Sequence, residues 1–140
     1  RVVKVVAPKA GLFPLLARCD ALGITPPWLV VASSTSSLLG YAGQANYCAA
    51  NALFDQSAAF GLASTSPKPA LLVLNFGPWG EVGMASEGTK AYEMSVANGE
   101  IPMPSSAALG CVAKALAELR SAAAVQPDAR LQFIVADVEW

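Results

Sequence analysis

Two kinds of apolar run alternate along the chain. At 28–32 (WLVVA) and 70–74 (ALLVL) the apolar residues are continuous, too few for a helix and without the alternation of a half-exposed strand. Such runs suit strands buried on both faces of a parallel sheet. Pro26 and Pro27 precede the first, a serine cluster follows it, and the second leads into the Gly- and Pro-rich GPWGEVGM. Elsewhere the period is helical. Leu12, Leu15, Leu16 and Cys19 share one side of a helix within 1–22, with Gly23 as its stop and Pro8 and Pro14 as local distortions. An Ala-rich helix is expected from 45 to about 62, closed by Gly61 and the loop STSPKP. A short, mobile helix is expected within 86–98, and an amphipathic helix opened by Pro-Ser-Ser over 104–120. QPDAR then leads into a last strand at 131–136. Helix, strand, helix, strand, helix, strand is the order of an α/β fold with a parallel sheet. In such sheets ligands gather at the carboxyl ends of the strands, and two consecutive strands here end in SSTSS and NFGPWG.

Composition narrows the function classes. The chain has 140 residues, enough for one modest domain or part of a larger one. Its 54% hydrophobic and 14% charged content is rich for an independent soluble domain, so some apolar surface is expected to meet another segment or subunit. The net charge is -1 and the basic residues are scattered, which argues against nucleic acid as a partner. No apolar run approaches the roughly 20 residues of a membrane helix, so no membrane partner is expected. Cys19, Cys48 and Cys111 are odd in number and lack CxxC spacing, the usage of a reducing, cytoplasmic compartment. The opening residues lack a starting Met and read as the middle of a domain. Histidine is absent, which excludes Cys/His zinc sites and Ser-His or Cys-His nucleophiles, and no metal site is expected. Any acid-base group must be Asp, Glu, Lys, Tyr or Cys.

One set of residues meets that requirement. Tyr47 and Asn51, four positions apart in the helix expected from 45, project from the same face. Ser34 lies thirteen residues before Tyr47 at a strand end, and Lys9 lies on the preceding helix. A phenol, with an ordinary pKa of about 10, is a poor acid or base at neutral pH, and an ammonium within about 4 to 6 Å favours the phenolate. Lys9 is the candidate ammonium. A serine hydroxyl that hydrogen-bonds a carbonyl oxygen while a tyrosine protonates it polarises a ketone. The reductant must then come from a hydride donor such as a nicotinamide cofactor. Tyr41 precedes the helix, lacks such partners and receives no catalytic role.

ASSTSSLLGYAGQANYCAANALFD at 32–55, APKAG at 7–11, LNFGPWGEVGM at 74–84 and VADVEW at 135–140 together resemble the ketoreductase domains of modular polyketide synthases, within the short-chain dehydrogenase/reductase superfamily. The resemblance implies a Rossmann-like parallel sheet with flanking helices, of which this chain is the carboxyl-terminal part: a single ketoreductase domain over 1–140 whose amino-terminal cofactor-binding portion is missing. No GxGxxG turn occurs in the chain. It further implies NADPH as cofactor, an acyl carrier protein-bound β-ketoacyl substrate reduced to the β-hydroxyl, and the rest of a polyketide synthase as partner. Lys9, Ser34, Tyr47 and Asn51 take the catalytic places. Lys9, Tyr47, Gly77, Pro78 and Trp79 take the cofactor, and Gln44 and Met84 the substrate, with Gly83-Met84 leading into a lid helix. Ala42 stands where many members have proline.

Each of these residues also has a structural reading: a strand-end serine as a turn residue, a tyrosine as a packed ring, a lysine as a solvated charge, GPWG as a tight turn around a core tryptophan. Two alternative functions stay open beside the reductase fragment, which alone should be inactive. One is a non-catalytic ketoreductase-like scaffold, and the other is the ketoreductase of a fatty acid synthase.

Overall fold

The computed structural model describes residues 2–60, 68–83 and 85–139. In chain order the elements are α1 (Val2–Ala10), α2 (Leu12–Ala21), β1 (Trp28–Ser34), α3 (Ser36–Leu39), α4 (Ala45–Phe60), β2 (Ala70–Phe76), α5 (Lys90–Ala97), β3 (Glu100–Ile101), α6 (Ser105–Val125), β4 (Arg130–Val135) and β5 (Asp137–Val138). The two apolar runs form β1 and β2 as the hydropathy predicts. Strands β1, β2 and β4 make one parallel sheet in that order, the α/β parallel sheet with flanking helices expected from the sequence.

Register places the three strand ends level. Ser34 pairs with Phe76, and Phe76 pairs with Val135. The central strand β2 is buried along six of its seven residues. On one face Leu72 and Leu74 pack with Ala108, Ala115 and Leu119 of α6. On the other, Leu71, Val73 and Val31 pack with Leu12 and Leu16 of α2 and with Phe54 of α4.

Burial of β1 departs from the expectation. Val31 is 2% exposed, but Trp28 and Val30 are 46% and 44% exposed. Helix α6 covers β2 and β4 without reaching β1, so among the described residues Trp28 and Val30 of this edge strand have no layer over them. The single helix expected within 1–22 is two. Gly11, at φ -59 and ψ -18, joins α1 to α2 and keeps helical bonds on both sides, Gly11 N to Ala7 O at 3.2 Å and Leu15 N to Gly11 O at 3.2 Å. Pro14 has no N–H to give Ala10, which opens the ladder at that joint. Gly61 and most of STSPKP, together with Met84, lie outside the described residues. The helix expected within 86–98 is α5, and α6 runs past its expected end to Val125.

A two-stranded antiparallel ribbon, β3 with β5, has no counterpart in the sequence reading. The chain turns from α5 into β3 at Gly99, where φ is +80 and the carbonyl accepts from Glu139 N at 2.8 Å. A Cβ at Gly99 would lie 3.0 Å from Glu139 O. Gly99→Ala is therefore expected to destabilise the complete domain by about 1–3 kcal/mol, from left-handed strain plus crowding. Denaturant unfolding measures it, and an unchanged midpoint would contradict this account of the turn. The segment after β2 is pinned to the same region: Met103 N donates to Pro78 O and Gly80 N to Met103 O, both at 2.9 Å. The carboxylate of Glu81 accepts from Ser105 N at 3.1 Å, where the first residue of α6 has no side-chain cap of its own. Its contacts with Ser105 lower the Glu81 pKa below the usual carboxylate value.

Candidate active site

A cleft of about 400 Å³ opens at the carboxyl ends of β1 and β2. Ser34 and Tyr47 both line it, as do Gln44, Gly77, Pro78 and Trp79. The strands deliver Ser34 and the Gly77 to Trp79 turn, and the first turn of α4 delivers Tyr47. Ala91 and Ser95 of α5 close the opposite side.

The serine cluster folds on its own hydroxyls. Ser34 Oγ accepts from Ser36 N at 3.2 Å, and Ser37 Oγ lies 2.7 Å from Ser34 O. Such local side-chain bonds turn the chain out of the strand and into the one-turn helix α3. Beneath the turn lies a buried polar network. Asp55 Oδ2 accepts from Ser37 Oγ at 2.7 Å and from Asn75 Nδ2 at 2.9 Å. Asn75 Nδ2 is also 3.2 Å from Ser34 O, and Asn75 Oδ1 accepts from Gln132 Nε2 at 2.8 Å. Asp55 Oδ1 is buried and has no hydrogen-bond partner among the described residues.

Asn51 does not line the cleft. It is 1% exposed, and its amide donates to Tyr47 O at 3.1 Å and reaches Ser36 Oγ at 3.4 Å. It ties the turn of α4 that carries Tyr47 to the serine turn. Lys9 is not among the lining residues either. Its ammonium sits 5.0 Å from the centre of the Phe54 ring, a cation–π arrangement. Burial lowers its pKa below the ordinary lysine value, and the charge of Asp55 offsets part of that. The structure thus brings Ser34 and Tyr47 together, sets Asn51 behind them and holds Lys9 farther along α4. Trp79 serves both readings of GPWG: it meets Phe76 edge to face at 5.5 Å, packs on the core and lines the cleft.

Among the lining residues that sequence reasoning does not assign to the site are Thr35, Tyr41 and Glu100. Thr35 Oγ1 donates to Glu100 Oε1 at 2.7 Å and is 3.3 Å from the Tyr41 hydroxyl. Burial, then the hydrogen bond to Glu100, raises the Tyr41 pKa well above the usual phenol value, so this hydroxyl keeps its proton. Thr35 is visible inside the serine cluster. Glu100 is 65 residues from it and carries no local signal.

The KR domain family model matches residues 1–81, more than half of the chain. The chain belongs to the KR family, the ketoreductase domains of polyketide synthases. It is 40% identical over 115 residues to polyketide synthase GfsB of Streptomyces halstedii, covering 79% of this chain and 2% of that protein. It is also 40% identical over 96 residues to a phenolphthiocerol/phthiocerol polyketide synthase of Mycobacterium tuberculosis, covering 67% of this chain and 5% of that one. Among solved structures, a C2-type ketoreductase from a modular polyketide synthase superposes with a TM-score of 0.65 at 29% identity, and the first ketoreductase of the tylosin synthase with 0.59 at 28%. Each covers 99% of this KR chain, which spans 27% of either.

Proposed function

We propose that this KR chain supplies the acid-base half of an NADPH-dependent β-ketoacyl reductase, which converts a β-keto group on an acyl carrier protein-bound chain to a β-hydroxyl within a polyketide synthase. The observation that carries the reading is the joint placement of Ser34 and Tyr47 on one cleft at the carboxyl ends of β1 and β2. The Ser34 hydroxyl hydrogen-bonds the ketone oxygen as charge builds on it, and the Tyr47 hydroxyl delivers the proton there. Asn51 holds the backbone of Tyr47 in place. Gln44 borders the substrate, and the resemblance adds Met84 beside it.

The cofactor fits what the cleft offers. Gly77, Pro78 and Trp79 form a turn on the cleft that Ser34 and Tyr47 also line, where the apolar Pro78 and Trp79 surfaces suit the flat nicotinamide end, and the chain holds no glycine-rich turn for the phosphates. The bound cofactor supplies the hydride. For Lys9 to reach the cofactor ribose its ammonium must leave Phe54. In this reading the chain is the carboxyl-terminal portion of the domain: β1 is an edge strand of the sheet β1-β2-β4, open to further strands, and Trp28 and Val30 on its uncovered face are open to a further layer.

The position of Lys9 over Phe54, away from the cleft lining, favours a second reading, a KR-like scaffold without catalysis. One assay separates the two. The complete domain, given NADPH and a diffusible β-ketoacyl thioester, is expected to consume NADPH and form the β-hydroxy thioester, while the 140-residue chain alone does neither. A folded complete domain that consumes no NADPH would leave the scaffold reading.

A further inference from the structure

Glu100 is a carboxylate at 3% exposure on the wall of the cleft, and the mechanism above does not use it. A buried charge is costly unless hydrogen bonds satisfy it. Its hydrogen-bond partner is Thr35 Oγ1, which donates at 2.7 Å, and the Tyr41 hydroxyl lies 3.3 Å from the same Thr35 oxygen. Thr35 and Tyr41 both belong to the serine turn, one immediately after Ser34 and the other at its far end. Thr35 is held from the opposite side as well, its N–H donating to Phe76 O at 2.9 Å. Glu100 itself arrives on a fixed support: the pairing of Glu100 with Val138, and the Gly99 turn bonded to Glu139. Helix α5, which carries Ala91 and Ser95 into the cleft, ends just before it. One carboxylate thus joins the segment that closes the cleft to the turn that carries the serine.

We propose that Glu100 is a positioning residue: by accepting from the Thr35 hydroxyl it locks the Ser34 turn and couples its geometry to the ribbon that follows α5. The inference rests on the reductase reading for its kinetic consequence, but not for its structural one. Because Glu100 acts through Ser34, its loss lowers kcat rather than weakening substrate binding. Because acceptance is what matters, the amide oxygen of glutamine replaces most of the function. Because Thr35 and Glu100 act as one unit, their losses do not add.

The test uses the complete domain. Glu100→Ala is expected to lower kcat about tenfold or more with KM within about threefold, and Glu100→Gln to return kcat to within about threefold of wild type. Adding Thr35→Val to Glu100→Ala is expected to cost nothing further. Amide exchange at 34–41 is expected to quicken about fivefold or more in Glu100→Ala, with the protection of β2 unchanged. The proposal is overturned by unchanged kcat in Glu100→Ala, by a glutamine variant as impaired as the alanine one, or by exchange that quickens equally in β2. Should Glu100→Ala fail to fold, Thr35→Val, which removes only the hydroxyl, takes its place in the kinetic and exchange measurements. If the wild-type domain reduces nothing, the reductase reading fails, and the exchange comparison still decides the role of Glu100.

Discussion

Tyr47→Phe in the complete domain is expected to lower kcat for ketone reduction by about 10²- to 10⁴-fold, the range that a positioned proton donor contributes. The substitution keeps the ring that lines the cleft and the backbone carbonyl that accepts from Asn51, and removes only the hydroxyl. KM and the unfolding midpoint should therefore stay close to wild type. Tyr41→Phe provides the contrast. Tyr41 lines the same cleft, but its hydroxyl lies 3.3 Å from Thr35 Oγ1 and keeps its proton, so its loss acts only through the serine turn and costs far less. Steady-state kinetics on a diffusible β-ketoacyl thioester make the comparison. Full activity in Tyr47→Phe would remove Tyr47 from the mechanism.

The second large effect falls on stability. Asp55→Ala takes away an acceptor that Ser37 and Asn75 both use at 9% exposure. Hydrogen bonds to a charged group contribute about 1.5–3 kcal/mol each, and Ser37 recovers part of its bond by turning to Ser34 O, so a loss of roughly 2–4 kcal/mol is expected. Asp55→Asn should lose much less. Both bonds end on Oδ2, which an amide oxygen replaces, while among the described residues Oδ1 makes no hydrogen bond that the substitution would break. What the asparagine does remove is the charge that raises the Lys9 pKa, so that pKa should fall further below the ordinary lysine value. Chemical denaturation of the two variants decides it. Equal losses would mean that the charge beside Lys9, rather than the hydrogen-bond geometry, stabilises the network.

What is legible in the chain depends on how local its cause is. WLVVA and ALLVL become β1 and β2 because continuous apolar runs between turn residues have few other uses. Ser34 and Tyr47 are legible because each sits at the end of an element whose direction the fold class sets. The burial of β1 is not, since whether Trp28 and Val30 are covered depends on how far α6 reaches across the sheet, and no residue near them reports that. The break at Gly11 is half visible: Pro14 marks a distortion, but its effect on the ladder needs the neighbouring turn. The β3 and β5 ribbon is invisible, because strands of two residues have no period. Glu100 goes with it, for its partners are brought near by that ribbon alone. The position of Lys9 shows the converse limit. Its motif is plain, and yet where a long side chain rests is decided by Phe54 and Asp55, two turns along a helix from the tyrosine it was matched with.

Neighbouring hydroxyls in the run SSTSS are chemically interchangeable, and parity alone tells them apart. In β1 the odd positions turn toward α2 and α4, where Val31 packs and the Ser33 hydroxyl is buried with no hydrogen-bond partner among the described residues. The even positions turn the other way. A shift of one residue along β2 would present Ser33 in place of Ser34 and would also drag Val31 out of its packing. An error in choosing the serine is therefore also an error in the core, and the hydrophobic residues of the strand proofread the identity of the hydroxyl at its end.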